Sequence, residues 1–407
     1  MALTATEEFN IKQVQEQQRL NIEKGHKTAF RKASDMPKHR AYLSGSLLFM
    51  TLMMSVFHVF PELMSRGYLA SNVFFAALGF TLCDYSFNVR SEKPQKQIRE
   101  LKKQIVSLIF PVVFVASVVG LFSAIVGNGL DINVRGAYFS TVSMSNNIWQ
   151  MIAGNAYMDS AALKSPLSGF WPVAVAFQFL LLFKGMKYLA VKLFHKTKCD
   201  TRKAMMRISS VIAAVSVLIY AGALFYGVSK DKILFSIDVK VFAFAGGITA
   251  ALAIPGRIHS DGDKAPESGK LKNNICIGCM LASLIGMAVI PVTQSKFAEV
   301  VIPVIYGVVS IVLVAFVYKN GSQIAGVMSN KYLNMIAKRS FAFYLWHYPA
   351  VIITKSFMGS VRMPYVFMFV IQLIIVIVMA ELTYVCCWQY SRSQRIDCFP
   401  ERGARSI

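Results

Sequence analysis

Two histidines stand where a titratable side chain is costly. His58 ends the apolar run SLLFMTLMMSVFHVF (46–60), and His347 lies inside Phe341-Ala-Phe-Tyr-Leu-Trp-His-Tyr-Pro349. An ionisable group inside such a run is a functional candidate by default. An apolar setting favours neutral imidazole, the form that takes a proton from a hydroxyl, so the chemistry on offer is general-base catalysis. The other reading of each histidine is a hydrogen bond to a neighbouring helix. His26, His39, His195 and His259 fall in charged segments. Pro349 removes a helical hydrogen bond and frees the carbonyl of Leu345, a break that could orient His347.

Other side chains suit supporting roles. Trp171 opens an apolar run, as a membrane-interface anchor or as a surface for stacking a sugar. Gln178 lies two turns further along the same face; its amide can donate to an oxyanion but cannot act as a base. Lys96, Arg99, Lys102 and Lys103 precede the apolar run from Ile105. If that stretch is helical, Arg99, Lys102 and Lys103 share a face near a positive helix end, a fit for phosphate groups. The same cluster also serves as a topology signal. Glu62 and Asp84 fall at span ends, where a carboxylate is cheap, while Glu381 lies deep in an apolar run and calls for a partner. Cys276-x-x-Cys279 has no second pair nearby, and the seven cysteines form no disulfide framework and no metal site.

The elements that position these residues are membrane helices. Of 407 residues, 55% are hydrophobic and 16% charged, with a mean hydropathy of +0.49. Soluble domains carry roughly 25% charged residues, so a soluble fold is excluded. Apolar runs near 42–61, 67–83, 105–127, 170–190, 208–228, 237–254, 275–293, 297–317, 339–356 and 364–388 give ten expected spans. The fold class expected is an all-α polytopic transmembrane helix bundle. Its parts are a cytoplasmic N-terminal segment 1–41, a membrane domain 42–388 and a cytoplasmic tail 389–407. Segments 1–41, 84–104, 191–207, 255–274, 318–339 and 389–407 hold 32 of the 43 Lys and Arg residues. The positive-inside rule then puts both termini in the cytoplasm. The net charge of +22 is thereby a matter of topology and of acidic lipid headgroups, not of nucleic acid. In this frame His58 lies about 25 Å and His347 about 12 Å from the cytoplasmic face, two levels of one polar path.

Residues 136–158 carry no charge and could span by length, but they are rich in Ser, Asn, Thr and Gly. Counting them as a span would turn three basic loops outward, so they are expected to form an outer interfacial or re-entrant segment. Residues 1–41 are polar, and the first apolar run reads as a retained helix, with no cleavable leader.

The run Phe343-Tyr-Leu-Trp-His-Tyr-Pro349 resembles the Y-L-x-H-x-P segment of the acyltransferase-3 family, multi-pass bacterial enzymes that acylate surface glycans. His58 falls where that family carries its first-span histidine. Val73-Phe-Phe-Ala-Ala-Leu-Gly-Phe80 resembles its FFxLSGF pattern, and Gly169-Phe-Trp171 with Gln178-Phe179 its fourth-span pattern. The resemblance covers roughly residues 40–390. It implies an integral membrane O-acyltransferase of the bacterial cytoplasmic (inner) membrane. Such an enzyme moves an acetyl group from acetyl-CoA to a hydroxyl of a cell-surface polysaccharide or lipid-linked glycan. By this resemblance His58 and His347 are catalytic, and Asn72, Trp171 and Gln178 meet the acceptor or the oxyanion. Arg99, Lys102 and Lys103 then hold the coenzyme phosphates, with no metal. The implied partners are membrane lipids and an envelope glycan. With 19 residues after the last span, transfer is completed in the membrane part or by a separate acyl-transfer or glycan-assembly protein.

The chain departs from the family pattern at several polar positions. Leu47 replaces an arginine, Asn72 and Leu78 replace an aspartate and a serine, and Ala176 and Phe177 replace an acidic pair. Gln104 and Ser107 stand where further arginines are usual. Two other readings therefore stay open: an inactive relative serving as an assembly partner, and a transporter or flippase. The latter would favour repeated halves with paired broken helices, a symmetry this sequence does not display.

Overall fold

A backbone in lipid has no water to bond, so it must satisfy its polar groups internally. The computed structural model describes residues 36–88, 94–131, 133–154, 164–197, 200–253, 295–320, 331–358 and 364–394, with 278, 283, 285–287 and 290. They are helical, with no strand among the described residues. Most of the expected span 275–293, together with residues 1–35, Cys199, Cys276, Cys279 and Cys398, lies outside the described residues.

The helices are α1 (Met36–Val59), α2 (Ser71–Asn88), α3 (Pro94–Val126), α4 (Val134–Val142), α5 (Asn146–Ile152), α6 (Trp171–Thr197), α7 (Thr201–Phe225), α8 (Lys230–Phe235), α9 (Ile237–Ala253), α10 (Lys296–Asn320), α11 (Lys331–Met358) and α12 (Tyr365–Gln394). Short 3₁₀ turns at Gly67–Ala70 and Pro166–Phe170 lead into α2 and α6. Among the described residues, five segments are long and apolar enough to cross a membrane: Ile105–Val126, Pro166–Leu193, Thr201–Phe225, Lys296–Tyr318 and Val366–Cys387. Large apolar side chains such as Leu121, Ile125, Leu218, Val366 and Ile374 point outward from them, a surface suited to lipid. The chain is a membrane protein of helical architecture.

α2 forms the centre, with every residue from Gly67 to Phe80 buried. Its tightest neighbour is α9. A Cβ on Gly79 would lie 2.1 Å from the Phe244 carbonyl oxygen, and one on Gly247 would lie 2.2 Å from that of Ala76. The two backbones thus touch through reciprocal glycines, the close approach that small residues permit between membrane helices. Short polar side chains bond to their own helix, as Thr51 does to Leu47 O (2.8 Å) and Thr354 to Ala350 O (2.7 Å), which removes their burial cost.

Residues 136–158 begin as a helix–turn–helix. α4 has nine residues and α5 seven, about 14 and 11 Å long, too short to cross a bilayer. A left-handed Met144 (φ 56°) reverses the chain between them.

Candidate active site

The two histidines lie side by side. The ring centroids of His58, in the last turn of α1, and His347, in α11, are 6.3 Å apart. The expected difference in depth is therefore corrected. It placed the membrane edge at Arg339, but α11 starts at Lys331, eight residues earlier, about 12 Å along a helix. Arg339 is no boundary charge. It meets Glu381 of α12 with a forked pair (Nη2 to Oε1 2.9 Å, and Nε to Oε2) and lies 4.3 Å over the Tyr384 ring. That pair supplies the partner Glu381 called for.

Around the histidines the groups are well defined. Tyr348 sets its ring 4.8 Å from His58, edge to face. His347 Nδ1 contacts the carbonyl oxygen of Tyr344, one turn back. A carbonyl can only accept, so Nδ1 carries the proton and Nε2 keeps the lone pair of the neutral ring. Nε2 is buried with no hydrogen-bond partner among the described residues. α11 runs helically through Pro349, and this bond to Tyr344 is what orients the ring. The 3₁₀ turn before α6 packs here. Tyr344 donates to Gly169 O (2.7 Å), and a Cβ on Gly169 would fall 2.4 Å from Tyr348 Cβ. Ser168 Oγ, beside it, is buried without a partner among the described residues. Two cations close this end. Lys355 donates to His58 O at 3.0 Å, and Lys164 is near enough to act on His58 electrostatically.

Against the 3₁₀ turn lies a largely buried amide network. Asn147 Nδ2 donates to Gln178 Oε1 (3.2 Å), and Gln178 Nε2 returns the bond to Asn147 Oδ1 (2.9 Å) and also donates to Met144 O (3.2 Å). Asn146 donates to Leu167 O (3.3 Å) and Thr141 Oγ1 (2.9 Å). Asn146, Asn147 and Gln150 are thus paired, and both Gln178 amide hydrogens are engaged with α5 and its turn. Trp171 is wholly buried between Phe75 and Phe235, with ring centroids 6.5 and 6.0 Å away. It offers neither an interface anchor nor an open stacking face, because α2 and α8 cover it. Asn72 does not join the histidines; it lines a separate cleft between α2, α7, α8, α9 and α10.

A family model described as an acyltransferase domain matches residues 40–388. The chain belongs to the acyltransferase-3 family. It is 22% identical over 356 residues to the O-acetyltransferase OatA of Staphylococcus aureus, covering 86% of this chain and 56% of that protein. It is 21% identical over 319 residues to the peptidoglycan O-acetyltransferase OatA of Listeria monocytogenes, covering 78% and 50%. The chain spans about half the length of the curated relatives it matches. No solved structure matches it significantly.

At the opposite end of this acyltransferase-3 bundle, Arg99, Lys102 and Lys103 lie in the first turns of α3, helical from Pro94; their side chains fall outside the described residues. Asp84, expected at a cheap span end, is 1% exposed. Lys187 donates to the neighbouring Ser86 (2.6 Å), and Arg202 to Leu252 O (3.4 Å).

Sequence reasoning missed three charged residues at the histidine end. Arg66, counted as a loop charge, is fully buried and grips Glu299 with two bonds (2.7 and 3.3 Å) while donating to Ile290 O (3.1 Å). Lys240, counted as a charge within a span, is 7% exposed. The rule applied to His58, that an ionisable group in an apolar run demands an explanation, would have found Glu299 and Lys240.

Proposed function

We propose that the chain is the membrane part of an O-acyltransferase that moves an acetyl group from acetyl-CoA to a hydroxyl of a cell-envelope glycan, peptidoglycan being the first candidate acceptor. Family membership and the names of its relatives support this reading. The observation that carries it is a bare, buried His347 Nε2 beside His58, a lone pair held in place and shielded from water.

In the reaction proposed, the acceptor oxygen bonds to the thioester carbonyl carbon as its proton passes to His347 Nε2 or through His58. The C–S bond then breaks, and the proton goes to the leaving thiolate, giving the ester and free coenzyme A. Such assistance contributes about 10²–10⁴-fold. Lys164 is the candidate for holding the developing oxyanion, since the Gln178 donors are engaged. Arg99, Lys102 and Lys103 are proposed to hold the phosphates of the donor at the other end.

The arrangement proposed is about ten spans with both termini in the cytoplasm, in the bacterial inner membrane. The charge asymmetry of the loops supports it, as does the shortness of α4 and α5, which adds no further crossing. Mass analysis of envelope glycans from cells with and without the protein tests the function. O-acetyl groups are expected to disappear without it, and an unchanged acetyl content would overturn the proposal.

A further inference from the structure

A cleft opens between the start of α2 and helices α7, α8, α9 and α10, and neither histidine lines it. Its walls are mostly apolar, including Leu69, Val217, Phe242 and Val304. Its charges are Glu299, Lys230 and Lys240. Glu299 is already committed: Arg66 holds both its oxygens, and Lys230 approaches one at 3.7 Å. Lys240 is different. It is 93% buried by its 7% exposure, yet among the described residues its ammonium makes no hydrogen bond and no ion pair. Its one described partner is the Trp171 ring, 5.9 Å from Nζ, at the outer limit of a cation–π contact.

The local backbone makes this placement worse, not better. Lys240 sits in the opening turns of α9, near the positive end of that helix. Asp238, in the first turn, is exposed and turned back on Ser236 and the Val239 amide. Glu299 is thus shared between Arg66 and Lys230, and Lys240 stands in the cleft with no carboxylate paired to it among the described residues. Burying an ammonium without a counter-ion is expensive, and a ligand anion removes that cost.

We propose that this cleft binds a phosphate-class anion, with the Lys240 ammonium as its counter-ion. A lysine is a common point-charge partner for phosphate, and the apolar walls suit the chain of a phosphate-headed lipid. The site is independent of the acyl-transfer reading, because neither histidine takes part.

The test uses the full chain purified in neutral detergent. Binding of phosphatidylglycerol, of phosphatidylcholine and of inorganic phosphate is measured for the wild type, Lys240→Met and Lys240→Arg. Phosphatidylglycerol is expected to bind at least tenfold more weakly to Lys240→Met, and within about threefold of wild type to Lys240→Arg, with the contrast shrinking as salt rises. The same Lys240 dependence for inorganic phosphate alone would name a free anion as the source and support the site equally. A parallel measurement needs no variant: amine-reactive labelling of Lys240, read by peptide mass, should fall several-fold with phosphatidylglycerol and not with phosphatidylcholine. Anion binding unchanged in Lys240→Met, or Lys240 labelling unaffected by both anions, overturns the proposal.

Discussion

Replacing Glu299 by Gln should destabilise the bundle more than replacing Arg66 by Met. Arg66 is 0% exposed and Glu299 5% by side chain, and the pair is forked at 2.7 and 3.3 Å. Removing one member of such a buried pair leaves the other charge uncompensated and costs about 3–5 kcal/mol. The two losses differ because of Lys230. Its ammonium lies 3.7 Å from Glu299 and its side chain is 41% exposed, so it can close on the carboxylate when Arg66 is gone. A glutamine at 299 keeps the shape and some hydrogen bonds but leaves Arg66 charged inside the protein. Glu299→Gln should therefore fall in the upper part of that range and Arg66→Met in the lower part. The double variant should recover much of the loss, since neutral groups of similar volume replace a buried pair at little cost. Reversible unfolding in mixed micelles, with both single variants and the double, measures all three. Additive losses, or a Glu299→Gln protein within 1 kcal/mol of wild type, roughly the value of an exposed pair, would refute the reasoning.

The contact of α2 with α9 predicts that Gly79→Ala and Gly247→Ala each cost about 1–3 kcal/mol or more, since their Cβ atoms would meet a neighbouring carbonyl near 2 Å. Gly185→Ala, with nothing within 4 Å, should stabilise by about 0.5–1 kcal/mol in the same unfolding assay. Gln178→Leu strands the Asn147 Oδ1 and the Met144 carbonyl, while Asn147 Nδ2 keeps its bond to Phe235 O. It should cost about 1–3 kcal/mol and lower acetylation only in proportion to the folded protein lost, as paired yield and activity measurements would show. Changing Arg99, Lys102 and Lys103 together to Gln should weaken coenzyme A binding at low salt and converge with wild type at high salt; equal binding at low salt assigns the cluster to topology alone.

The two histidines and the helical class were legible because each rests on a strong local signal: long apolar runs, and ionisable residues within them. The short polar segment before Trp171 was legible for the same reason, as Asn146, Asn147 and Gln150 are too costly to face lipid unpaired. Relative depth was not legible. Arg339 reads as a membrane edge until Glu381, 42 residues later, comes to meet it. Trp171 reads as an interface residue until α2 and α8 cover it. Arg66 looks like an ordinary loop charge because its partner lies 233 residues away. These three misses rest on long-range contacts, which no local pattern encodes.

The central claim, that His58 and His347 perform acyl transfer together, is tested most directly by envelope glycan acetylation in cells carrying His347→Gln, His58→Gln or both, at matched levels of folded protein. Glutamine keeps a hydrogen-bonding group of similar size but cannot take the proton. The account predicts that each single variant lowers acetylation by about 10²–10⁴-fold and that the double variant falls little further, because the two act as one unit. Normal acetylation by His347→Gln would contradict it and leave the histidine as packing between α1 and α11.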